Sequence, residues 1–157
     1  MRRLSIALFT ASLGVAAAFT ASGYGFVPAS ASFTISGQMS FAGGGVGVDC
    51  KTFFAGVTDA SGVAQITAAS FSGGTMSVCD GIHPLNLPWT VTAQDLRTAI
   101  VSIIAVRAPI FGDCAAHDVP VAVGKGGAVH VGRIDLPPSC TIWGGDLKPG
   151  TPVSIVP

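Results

Sequence analysis

Regular alternation begins at Ser32. In SFTISGQMSF, residues 32–41, Phe33, Ile35, Met39 and Phe41 fall on one face and Thr34, Ser36, Gln38 and Ser40 on the other. A period of two predicts a strand with one buried face. AGGGVG, residues 42–47, breaks the pattern and turns the chain. The stretch VDCKTFFAGVTDASGVAQITAASFSGG, residues 48–74, reads as a long hairpin turning at Asp59-Ala60-Ser61-Gly62. Gly56 inside it marks a bulge or a close backbone approach. Phe53 and Phe54 are adjacent, so a regular strand points them to opposite faces. Trp89–Thr92 and Ile100–Val106 are two further β-prone runs, with AQDLR as the turn between them. The β-branched run from Ile100 to Ile104 argues against a helix over residues 93–108. HDVPVAVGKGGAVHVGRIDL, residues 117–136, is another hairpin turning at Gly124–Gly127, and CTIWGGDL and TPVSIV supply short final strands. The expected fold is all-β: a single antiparallel β-sandwich or small β-barrel domain.

The residues before Ser32 read differently. Arg2 and Arg3 precede an uncharged apolar run from Leu4 to Phe19, and Ala29-Ser30-Ala31 has the small-x-small form of a signal-peptidase site. The expectation is a secretory signal peptide over residues 1–31, cleaved before Ser32, and a domain over 32–157. Export by the general secretory route follows, with the product either released or kept at the cell surface.

Charge narrows the partners. After removal of the leader, six basic residues face eight Asp, a net of −2, and the chain contains no Glu. Charged residues make up 10% of the chain, well below the ~25% usual in soluble domains. No basic stripe exists to attract nucleic acid or anionic lipid. Ser, Thr and Gly carry the polar surface instead, which weakens self-repulsion and permits self-association.

Cys50, Cys79, Cys114 and Cys140 form an even set in an exported chain, which predicts two disulfides. Their wide spacing does not suit a zinc site. If Trp89–Thr92 pairs antiparallel with Val101–Ile104, the same register places Cys79 opposite Cys114 and leaves Cys50 for Cys140. That pairing is the expectation taken from register.

Candidate chemistry is sparse. GDCAAHD gathers Asp113, His117 and Asp118, residue types able to bind metal; the plainer reading is a solvated polar loop. His130, between Val129 and Val131, reads as an outward strand residue. No GxSxG elbow, acidic pair at glycosidase spacing, phosphate loop or dinucleotide fingerprint is present. No catalytic residue, metal ligand or cofactor is assigned, and the expectation is a protein that is not an enzyme. Most of Phe53, Phe54, Phe71, Phe111, Trp89 and Trp143 should lie in the core.

VDCKTFFAGVTDASGVAQITAASFSGG, then a Cys and LPWTV, with PIFGDC and LPPSCTIWGGDL later, resembles the secreted protein activators of alkane oxidation, the PraA/PraB-like group. The resemblance covers most of the expected mature chain. It implies a small exported bacterial protein that aids growth on long-chain hydrocarbons by emulsifying them and takes part in biofilm adhesion. It supplies no catalytic residues.

The stretch FSGGTMSVCDGIHPLNLPWTV, residues 71–91, is then expected to be a corner fixed by Cys79 and stiffened by Pro84 and Pro88. Ile82, Leu85, Leu87 and Trp89 are its candidate apolar contact loop. The leading expectation is a secreted amphiphilic protein whose partners are hydrocarbon droplets, other apolar interfaces, and a cell surface or biofilm matrix. The alternatives are a structural subunit of an extracellular fibre or biofilm matrix and, behind it, a secreted hydrolase.

Overall fold

The computed structural model describes residues 23–109 and 111–157. The leader expected over residues 1–31 therefore lies outside the described residues as far as residue 22. The strands are β1 (Gly25–Val27), β2 (Ser32–Gly43), β3 (Val46–Thr58), β4 (Ala64–Ser72), β5 (His83–Pro84), β6 (Trp89–Ala93), β7 (Thr98–Ala108), β8 (Gly112–Val123), β9 (Val129–Val131), β10 (Ile134–Leu136), β11 (Cys140–Pro149) and β12 (Ser154–Val156).

The predicted antiparallel domain is a closed barrel and not a sandwich. Its wall runs β11-β2-β3-β4-β6-β7-β8-β9, and β9 pairs back onto β11 to close it. β10 adds to β11, and β5 adds to β7. A separate two-stranded sheet joins β1 to β12, pairing Phe26 with Ile155.

The alternation of β2 sets the inside. Phe33, Met39 and Phe41 are buried, while Ser32, Ser36 and Gln38 face out. On β3, Phe54 turns in and Phe53 turns out, 44% exposed. Phe41, Phe54, Phe71 and Trp89 pack edge-on or tilted against one another inside the barrel. An apolar inside and a Ser/Thr-rich outside is the reverse of a membrane-spanning barrel, which turns its apolar side chains to lipid.

Two bulges keep inward residues inward. The β3–β4 register shifts at Ala55/Gly56, so Ile66 and Phe71, an odd number of residues apart, both reach the core. Gly56 is also a close approach: a Cβ there would lie 2.5 Å from the Phe33 ring and 2.3 Å from the Gln65 carbonyl oxygen. The β11–β2 register shifts between Ile142 and Gly144, which lets both Ile142 and Leu147 face in and leaves Trp143 outside. The hairpin turn at residues 59–62 forms as expected. The Asp59 carboxylate accepts from the Ser61 hydroxyl and the Ser61 and Val63 amides, and Gly62 adopts φ 81°.

All four cysteines are bridged, but in the other pairing: Cys50 with Cys79, and Cys114 with Cys140. The register argument fails for two reasons. β6 and β7 pair Val91 with Val101, one residue off the assumed alignment. β6 also does not continue back to Cys79, because a 3-10 segment, Thr75–Gly81, folds across β3 first. Cys79 therefore meets Cys50, while Cys114, opposite Val106, reaches the start of β11. Each bridge closes a loop shorter than thirty residues, with separations of 29 and 26.

Both bridges lie at one end of the barrel, among the β2–β3 turn, the β7–β8 turn and the start of β11. The opposite end is closed without disulfides. There β1 and β12 cross the opening, and Phe26, 6% exposed, joins the core. The Phe26 amide donates to the Gly62 carbonyl at 2.8 Å. Buried Thr58 donates its hydroxyl to the Pro28 carbonyl at 2.7 Å and accepts from the Ala31 amide at 3.1 Å. Residues Tyr24–Ala31, placed in the leader by sequence, are thus woven into the domain.

Candidate functional site

The loop singled out in the sequence is a packed corner. β4 ends at Ser72, the 3-10 segment follows, and Cys79 anchors it to β3. β5 pairs His83 with Arg107 and Pro84 with Val106. The Leu85 amide donates to the Ala105 carbonyl at 2.8 Å, and the Leu85 carbonyl accepts from Trp89 Nε1 at 2.8 Å. Ile82 and Trp89 are 3% and 1% exposed, so these two present no surface to a partner. Both face inward because β5 and the indole hydrogen bond pull the loop onto the barrel wall. Leu85 and Leu87 are half-buried, and Leu87 packs against the core.

The exposed apolar residues lie elsewhere. Trp143 is 63% exposed, put outside by the β11 bulge, with the Arg133 guanidinium 5.8 Å above its ring. That spacing is within cation–π range. Trp143 and Val46 line an open groove of about 770 Å³ at the disulfide end, together with Phe41, Gly74 and Thr75. Met76, the next residue, is 89% exposed. Polar groups share this rim. Ser40 donates to Asp49, and Arg133 lies 3.5 Å from Asp135. Phe53 and Val57 form a second exposed apolar pair on the outer wall of β3. The sequence carried one signal for this rim: Trp143 sits beside Gly144-Gly145, a place for a bulge.

Two of the polar candidates, Asp113 and His130, take up charged partners on the surface. Asp113 accepts two hydrogen bonds from Arg107, at 2.6 and 2.9 Å. The Arg107 hydrogen bond holds its carboxyl below the usual carboxylate value. His117 and Asp118 lie exposed on β8. His130 is the outward strand residue expected, with Nδ1 2.7 Å from Asp146. The Ser61 hydroxyl likewise lowers the Asp59 carboxyl.

With this geometry in place, comparison with known proteins decides the lineage. The family model "Alkane oxidation protein activator PraA/PraB-like" matches residues 1–157. The chain belongs to the PraA/PraB-like family of alkane oxidation protein activators. A search of curated proteins and a search of solved structures each returned no match. For this PraA/PraB-like chain the family description names an activator of oxidation, a role beside the catalyst. Its two disulfides in a small domain are consistent with an extracellular protein.

Proposed function

We propose that this PraA/PraB-like protein is an exported, non-enzymatic amphiphile that settles at hydrocarbon–water boundaries, disperses the hydrocarbon and adheres to apolar and cell-surface material. The observation that carries the reading is the rim at the disulfide end. Trp143 and Val46 line one groove there and strongly exposed Met76 lies beside it, at the disulfide-stapled end of a sparsely charged barrel whose other exposed large apolar residues, Phe53, Val57, Leu96 and Val156, are scattered over the rest of the described surface. Such a rim gives the molecule one end that prefers an apolar phase, and low charge lets neighbours crowd in a film. Half-buried Leu85 and Leu87 would add to this surface.

A fibre built by pairing strand edges is less favoured. Closure of β9 onto β11 leaves the wall without a terminal strand, so open edge is confined to the parts of β8 and β4 beyond their short pairings with β9 and β6. The strands outside the wall, β1, β5, β10 and β12, are two or three residues long.

The test is a Trp143→Ser/Met76→Ser variant. It should fold as the parent does and lower hexadecane–water interfacial tension markedly less. A folded variant with undiminished activity would remove the rim from the account.

Export places one further demand on the chain. Cleavage before Ser32 would discard β1 and the Phe26 plug. Ala21-Ser22-Gly23 offers a second small-x-small signal upstream. We therefore place the mature N-terminus at Tyr24. Intact-mass measurement of the exported protein checks it: a mass starting at Ser32 would contradict the assignment.

A further inference from the structure

The barrel interior is not completely filled. A void of about 90 Å³ lies among inward side chains that include Met39, Phe54, Ile66, Val101 and Leu147. Every lining side chain is apolar, apart from Gly127, which has none. Trp89 also lines it, but its indole N–H is committed to the Leu85 carbonyl. A buried water needs about two to four polar partners, so this space is dry.

The volume limits the guest. Engineered apolar cavities of about 150 Å³ admit benzene. The present void is smaller, but it does not stand alone. A groove of about 340 Å³ between Pro28, Ala31, Thr58 and Pro152 shares Phe33 and Val153 with it. With Phe33 and Val153 as the wall between a void this small and the groove, a guest reaching from one to the other has to be thin and unbranched, and a compact ring is too wide. The groove residues are all uncharged, which favours a neutral chain over a carboxylate. This is also the end of the barrel without disulfides, crossed by β1, β12 and the Phe26 ring.

We propose that the barrel interior binds the terminal segment of an unbranched alkyl chain, admitted at the β1/β12 end, with the rest of the chain lying in the adjoining groove. The proposal rests on the hydrocarbon reading above and adds the ligand class: the family member would hold single molecules as well as meet droplets. Free n-alkanes and the tails of fatty acids share this chemistry.

Methyl NMR on the oxidised mature protein tests it, with n-hexane, cyclohexane and hexanoate as probes. n-Hexane should give saturable shifts and intermolecular contacts at the methyls of Val101, Val121, Val129 and Leu147, all of which line the void. Cyclohexane, equal in carbon count but compact, should leave them unmoved. Hexanoate binding about tenfold more weakly assigns the site to neutral chains; hexanoate binding as well as n-hexane assigns it to fatty-acid tails. Ala99→Val fills space beside the void and should weaken n-hexane about tenfold or more with the fold retained. Ala64→Val serves the same purpose if that variant does not fold. Absent lumen shifts with n-hexane, or an equal response to cyclohexane, would overturn the proposal. Interfacial tension measured on the same samples separates the two ideas. Native protein that lowers the tension without binding n-hexane sinks the lumen site alone; native protein that does neither sinks both.

Discussion

Replacing Phe26 with alanine tests whether the segment before Ser32 belongs to the domain. The ring is 6% exposed and packs at the disulfide-free end of the barrel. Buried Phe→Ala changes cost about 3–5 kcal/mol, through lost transfer energy and the cavity left behind. Phe26 already borders the interior void, so its truncation enlarges a space that the surrounding wall, held by hydrogen-bonded strands, cannot close. Neighbouring Gly25 lies against the Gly62 backbone, which limits inward movement of β1. Against this, a ring facing a void makes fewer contacts than one packed all round, which favours the lower part of the range. The expected loss is about 3 kcal/mol. With a urea slope near 2 kcal/mol per molar, the midpoint should fall by about 1.5 M. The assay is equilibrium urea unfolding of the oxidised protein from Tyr24 onward, read by circular dichroism and Trp emission. Val156→Ala, on the partner strand but 37% exposed, is the control and should change stability by no more than about 0.5 kcal/mol. A Phe26→Ala loss below about 1 kcal/mol would refute the packing of β1 and restore Ser32 as the start of the domain.

Removing the Cys50–Cys79 bridge as a Cys50→Ala/Cys79→Ala pair should cost about 3.5 kcal/mol in the chain-entropy model, and removing Cys114–Cys140 about the same; non-reducing peptide mapping should recover both pairs as linked. Trp143 should be quenched by acrylamide in the native protein and Trp89 only after unfolding; Trp143→Phe should remove most of the native-state quenching. Asp59 and Asp113 have carboxyls held below the ordinary value of 3.8 by hydrogen bonds that exist only in the folded chain. Their contribution is fully present above that value and is lost as pH falls through it. The urea midpoint should therefore hold from pH 7 to about 5 and decline below about 4, and an Asp59→Asn/Asp113→Asn variant should decline less over the same range.

Local features of the fold were legible because they rest on short-range physics. The inward face of β2 follows from strict alternation, and the turn at residues 59–62 from an Asp and a Gly at the right spacing. The opposed fates of Phe53 and Phe54 follow from strand geometry. Barrel closure was not legible, because it depends on three-residue β9 meeting β11 across the chain. A one-residue register error was enough to mispair the cysteines, since side-chain direction and partner both change with it. β1 was hidden by its length and by the small-x-small form of Ala29-Ser30-Ala31 just after it. The burial of Ile82 and Trp89 within the contact loop was hidden for another reason. Composition located its apolar residues, but no local pattern shows that β5 and the Trp89 hydrogen bond press the loop inward. Trp143 escaped for the converse reason: a bulge at Gly144 decides its direction.

The central claim is that the oxidised mature protein is surface-active toward hydrocarbon. Hexadecane–water interfacial tension measures this directly, against a disulfide-bonded β-barrel of similar size and charge with a polar rim. The account predicts a clear excess fall in tension at micromolar protein, with droplets that stay dispersed. A fall no greater than that of the control would contradict it.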